Sequence, residues 1–251
     1  HRIPWILKEL AKAGAPEDIL SKSRPHIGTD RLIKVVRTIR EEIIALGGEV
    51  RFETRVKDVV IEDGTMRAVV TATGEVIEAD RIVFAIGHSS RDTFEMLHAH
   101  GVKMEAKPFS VGVRIEHPQS LIDHSQLGRH AESQSLGAAA YKFVAHCESG
   151  HAAYSFCMCP GGLVVAASSE PGHVVTNGMS SYARAEANAN AGFMVDVEPN
   201  DFGFHGDLGG IAFQRSLERK AFVMGGEDYK APAQLLGDFM RGRASKGPGK
   251  V

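Results

Sequence analysis

Five apolar residues in a row, Ile82-Val83-Phe84-Ala85-Ile86, lie between Asp80 and Gly87, and the polar run His88-Ser89-Ser90-Arg91-Asp92 follows. No other stretch constrains the fold as much. A short apolar run bounded by turn residues reads as a strand buried on both faces, as in the middle of a parallel sheet. Ending it on glycine lets the backbone approach something closely, because no Cβ stands in the way. The polar run can open a helix, so residues 81–100 are predicted as strand, glycine turn and helix.

The residues before this junction set its context. Residues 29–46 carry Leu32, Val35, Val36, Ile39, Ile43 and Leu46 at helical spacing, with Thr29 or Asp30 as the cap and Gly47-Gly48 as the stop. A shorter helix is expected over 3–14, and a helical turn from Pro16 through Leu20. From residue 49 the period changes to two. Strands are expected over 49–53, 55–62, 66–72 and 75–78, with turns at Asp63-Gly64 and Thr73-Gly74. Beyond Lys107-Pro108 the chain becomes β-rich. Strands are expected over 110–116, 140–146, 153–158, 163–167, 173–176 and 192–197, and helices over 119–126, 208–224 and 235–240. The fold class is therefore α/β plus α+β. An α/β portion with a meander covers 1–107, a β-rich portion with C-terminal helices covers 108–240, and 241–251 is a loose tail.

Charge and composition exclude several partners. The net charge is −2, which gives no bulk electrostatic case for nucleic acid or an anionic membrane. No apolar run approaches the roughly 18 residues of a spanning helix. The three cysteines are an odd number, and two stand too close together for a disulfide framework, so a reducing, cytoplasmic setting is expected. A small-molecule partner is expected, and the oligomeric state is left open.

Several clusters carry candidate chemistry. Cys157 and Cys159 flank Met158 on a predicted strand, where alternate residues share a face. A C-x-C pair can bind zinc, with Cys147, His146 and His151 nearby. The spacing lacks the usual C-x2-C geometry, however, and no second cysteine pair exists, so no metal is expected. Buried structural thiols are the simpler reading. His26-Ile27-Gly28-Thr29 reads as a loop and cap, or as a helix N-terminus facing an anionic group with His26 as a proton carrier. Arg114 and Glu116 share one face of their strand, either as a solvated face or as an anchor for an anionic substrate. Asn177 sits in a turn or makes a polar substrate contact.

The order of parts resembles the middle of flavoproteins built on the two-dinucleotide-binding plan. These parts are the long helix, GGEVRFETRVKDVVIEDG, the meander and ADRIVFAIGHSSRD. Together with PHIGTDRL, KPFSVGVRIEHPQ, SFCMCPGG and TNGMS, they resemble the bacterial FAD-dependent dehydrogenases along the whole chain. The resemblance implies a partial doubly wound FAD-binding portion over 1–107 and a substrate portion over 108–240. It also implies that Thr54-Arg55-Val56 meets the adenine. Ala85-Ile86-Gly87 stands where that family has an Ala-Thr-Gly-like motif against the cofactor. His26, Thr29, Gly161 and Gly162 join the cofactor residues, and Cys157, Cys159, Asn177 and Arg114 the substrate pocket; no catalytic residue is assigned.

One departure matters. The fingerprint GxGxxG, which places a diphosphate on a helix N-terminus, is absent. The chain thus reads as an internal piece of an FAD-dependent oxidoreductase, expected to bind FAD weakly or not at all alone. A non-catalytic module that lacks the cofactor is the alternative.

Overall fold

The computed structural model describes residues 2–133 and 135–247. The chain begins with helix α1 (Arg2–Lys12), a 3-10 turn (Glu17–Leu20) and the long helix α2 (Thr29–Ala45). Their shared core is small: Ala13, Ala15, Ile19 and Val35, with Leu7, Leu10, Ile27 and Ile39 packed around it. Only Val35 of α2 is fully buried, while Ile33, Val36, Ile44 and Leu46 are exposed. An amphipathic helix with this much apolar surface in water has an unpartnered face.

The meander follows as β1 (Val56–Glu62), β2 (Thr65–Thr71) and β3 (Val76–Glu78), antiparallel in that order, with Val59 and Ala68 at its buried centre. The expected strand over 49–53 does not form. That stretch is irregular and Phe52 is exposed, because the strand pairing of the meander begins only at Val56.

The larger correction concerns residues 81–87. They form no strand and belong to no sheet, and they make no backbone–backbone hydrogen bond among the described residues. Val83 is 86% exposed, so the expected burial on both faces is absent. The physical reason is that a strand exists only through its neighbours' donors and acceptors, and none runs beside this one. Every strand pair among the described residues is antiparallel. The structure is a mixed α/β one with several antiparallel sheets, and these residues contain no doubly wound parallel sheet.

Helix α3 (Arg91–Ala99) starts where expected. The second portion holds β4 (Phe109–Pro118), α4 (Gln119–Leu127), β5 (Val144–His146), β6 (Ala152–Cys159), β7 (Gly162–Ala167), β8 (Val175–Ser180), β9 (Asn188–Val197), α5 (Gly209–Met224) and α6 (Leu236–Phe239). β5 is shorter than the predicted 140–146. The main sheet runs β4-β9-β6-β5, and β7-β8 is a hairpin whose β8 packs against β4, β6 and β9. Phe109 of β4 meets Phe202 at 5.0 Å and Phe213 of α5 at 6.1 Å, which seats α5 on the sheet end.

The start of the expected loose tail folds back onto α6. Arg243 Nε and Ser245 Oγ donate to the Asp238 carboxylate at 2.6 and 2.8 Å. Residues 248–251 of that tail lie outside the described residues. No helix among the described residues is long and apolar enough to cross a membrane.

Candidate functional site

A cleft of about 610 Å³ opens between the meander and residues 81–86. Val56, Val69 and Ile77 form its meander wall, and Ile82, Phe84 and Ile86 the opposite one. Thr54, Ser90 and Thr93 add polar atoms. Exposure alternates along this segment, with Ile82, Phe84 and Ile86 half-buried and Arg81, Val83 and Ala85 exposed, although Arg81 and Val83 also border the cleft. Arg55 forms an ion pair with Asp92 of α3 among the cleft residues. Ser90 Oγ donates to the Ile86 carbonyl at 3.1 Å and fixes the turn at Gly87, where φ is 68°. Two residues named from the sequence, Val56 and Ile86, therefore line one cleft. Ala85 and Gly87 are exposed and stand outside its walls.

His26, Thr29, Gly161 and Gly162 gather elsewhere, around the loop after β8. His26 Nε2 lies 3.0 Å from the Ser181 carbonyl, and the ring stacks with Tyr182 at 6.3 Å. Thr29 is not the cap of α2. That position is Gly28, and the Thr29 hydroxyl donates to the Ser180 carbonyl at 3.3 Å. Asp30 accepts the Tyr182 N–H at 2.8 Å, and this backbone donor is the first cause holding its carboxyl below the usual range. Arg31 lies over the Tyr182 ring at 3.5 Å. The α2 N-terminus admits two readings from the sequence, a loop with its cap or a face for an anionic group; in the structure the chain's own loop occupies it. Gly161 and Gly162 are likewise close to protein backbone: a Cβ would fall 1.8 Å from the Arg184 oxygen and 2.4 Å from the Met179 oxygen, respectively.

The third cluster lies on the main sheet. Arg114 is opposite Gly192, and Gly192 is opposite Phe156; on the next row Glu116 is opposite Asn190, and Asn190 opposite Cys159. The two cysteines do not alternate onto one face as expected. A bulge between Phe156 and Cys159, with Cys157 at φ 43°, breaks the period on which that expectation rested. Nor are they buried thiols. Cys147 and Cys157 are exposed, and Cys159 is half-buried with its thiol donating to the Cys157 carbonyl at 3.4 Å. Burial pushes the Cys159 thiol up, away from the thiolate. Asn177 is exposed on β8 and takes no part in this cluster. No group of three or more His, Cys, Asp or Glu side chains converges as a metal site among the described residues.

Sequence reasoning missed two residues. Arg91 was read as part of a polar helix start, yet its side chain is fully buried. It donates to both oxygens of Glu218, at 2.9 and 2.5 Å, and to Glu170 at 2.8 Å. Asn190 was missed because the last strand was started at residue 192. The alternation of Asn188, Asn190 and Gly192 was the available signal.

The model of the family described as FAD-dependent protein, C-terminal domain-like, matches residues 108–251. That of flavin containing amine oxidoreductase matches residues 22–102. A Clostridium beijerinckii protein, described only as uncharacterized, is 50% identical over 252 residues, covering 100% of this chain and 47% of its own length. The class is thus that of FAD-dependent flavoproteins. The chain belongs to the family of FAD-dependent proteins whose C-terminal domain matches residues 108–251. It spans about half the length of the relative it matches.

Apolar walls suit a flat heteroaromatic ring, and the backbone groups of residues 81–87, which take no backbone partner among the described residues, suit its hydrogen-bonding edge. A diphosphate cradle is a different matter, because the glycine fingerprint is not in this sequence.

Proposed function

We propose that this chain supplies the substrate portion and part of the cofactor portion of an FAD-dependent oxidoreductase acting on a small molecule. The observation that carries the reading is the cleft in which Val56 and Ile86 meet, in a chain of an FAD-dependent family. FAD, when bound, supplies the redox chemistry. Thr54, Val56 and the backbone around Ile86 hold the ring edge, and Ile82 and Phe84 keep water from it. Residues 108–240 position the substrate. A division near residue 107 is supported by family matches that end at 102 and resume at 108.

Residues 81–87 act as a sheet strand only beside partner strands, which would restore the doubly wound arrangement. The absence of backbone–backbone hydrogen bonds at 81–87 among the described residues and the bare face of α2 support this reading. Alone, the chain holds FAD weakly or not at all, since its sequence lacks the glycine fingerprint that cradles the diphosphate. A net charge of −2 and three unbridged cysteines support a reducing, cytoplasmic location without nucleic-acid or membrane partners.

Flavin content tests the proposal. The full-length Clostridium beijerinckii relative and the 251-residue chain are purified in parallel. The expected result is a yellow relative with one FAD per chain by absorbance, and a colourless 251-residue chain. A full-length relative that takes up no FAD when reconstituted favours the cofactor-free module instead.

A further inference from the structure

Among the described residues two guanidinium groups are taken out of water against carboxylates. Arg91 meets two glutamates, and Arg215 meets Glu170 and Glu95. Arg114 is half-buried on the main sheet, and among the described residues no carboxylate lies within ion-pair distance of it. Its acceptors are neutral: Asn190 Oδ1 at 2.5 Å and the Cys157 carbonyl at 3.5 Å. Glu116, two residues along on the same face, instead accepts from Asn188 Nδ2 at 3.3 Å. A guanidinium taken partly out of water without a counter-charge is costly.

A second observation points the same way. Asn190 is 0% exposed, and its Nδ2 has no hydrogen-bond partner. Turning the amide over would aim its NH2 at the guanidinium, so the donor stays where it is. Asn190 therefore turns its oxygen to the guanidinium and keeps an orphaned buried amide donor beside it, and neither group has an anionic acceptor among the described residues. The β8 side is closed, because a Cβ on Gly178 would lie 2.0 Å from Arg114 Nη1. The bulge at Cys157, where the Arg114 contact is exposed, leaves an approach. At the far end of the same cross-strand row stands Phe156, an exposed aromatic ring.

We propose that Arg114 and Asn190 form a carboxylate-binding subsite, and that Phe156 receives the apolar body of a carboxylic acid substrate. This deepens the reading of residues 108–240 as the substrate portion and rests on it. The neighbouring titratable groups agree with an anionic guest. Cys159 stays a neutral thiol through burial, and burial likewise raises the Tyr141 phenol.

The test uses the whole chain with benzoate as probe and benzamide as its uncharged isostere, read by the side-chain amide resonances of Asn190 and by the thermal midpoint. Benzoate is expected to shift both and benzamide neither. Arg114→Gln is expected to weaken benzoate at least tenfold. Asn190→Asp supplies the missing counter-charge in nearly the same shape, so it is expected to abolish benzoate binding and raise the thermal midpoint. Equal response to both probes, no response to either, or a lowered midpoint in Asn190→Asp overturns the proposal. If Arg114→Gln does not fold, the Asn190→Asp result decides. No arm reads flavin, so failure here leaves the flavin reading standing, and a flavin-free relative leaves these outcomes interpretable.

Discussion

Gly161 stands at φ 44°, with the Arg184 oxygen 1.8 Å from the place of a Cβ, so even one methyl must displace backbone. Gly161→Ala is expected to cost about 2 kcal/mol or more, from overpacking together with an unfavourable dihedral. The urea midpoint measures it. At Gly64, by contrast, φ is also positive but nothing lies within 4 Å, so alanine there carries only the dihedral cost. Glu170 offers a second residue-level prediction. Hydrogen bonding from Arg215, then Arg91, lowers its carboxyl from 4.5 to about 2. The folded state therefore binds this proton more weakly than the unfolded one. The stabilisation is complete above about 4.5 and decays as pH falls through about 2. Urea unfolding at neutral pH and at pH near 3 should show a smaller acid loss in Glu170→Gln than in the parent chain.

Among elements, the decisive contact joins α3 to α5 and to the loop after β7. Arg91 opens α3, Glu218 lies 127 residues away on α5, and Ser89 meets Ser169 at 2.9 Å beside them. Arg91→Ala would leave Glu218 nearly buried and unpaired, at a cost of about 3–5 kcal/mol. Replacing both Arg91 and Glu218 by leucine should recover much of that loss in chemical denaturation. Contacts of this kind explain what could be read from the chain. Helices α2 to α5 and most strands were legible, because their apolar period is written locally. The role of Arg91 was not, since its partners lie far along the chain. The turn at Cys157 was hidden too, because a bulge leaves the strand pattern around it intact. Of the candidate site, Val56 and Ile86 line one cleft, whereas the Thr29 hydroxyl and the Gly161 backbone lie against the chain's own backbone.

For the molecule as a whole, the apolar surface on α2 and on residues 81–87 sets the behaviour. The chain covers 47% of its Clostridium relative, and under the proposed reading the exposed faces receive further strands. Val83 is a discriminating position, being 86% exposed here and central in the proposed sheet. Val83→Lys should leave the stability of the 251-residue chain within about 0.5 kcal/mol. At the equivalent position of the longer relative it should sharply reduce flavin retention, read by absorbance after gel filtration. The same segment is also a hazard. An apolar run that takes no backbone partner among the described residues is a template for intermolecular β-pairing. A ribosome finishing this segment before its neighbours have docked would release a sticky chain. Val83→Lys should then act as a gatekeeper, lowering thioflavin-T-positive aggregation of the 251-residue chain without touching its fold.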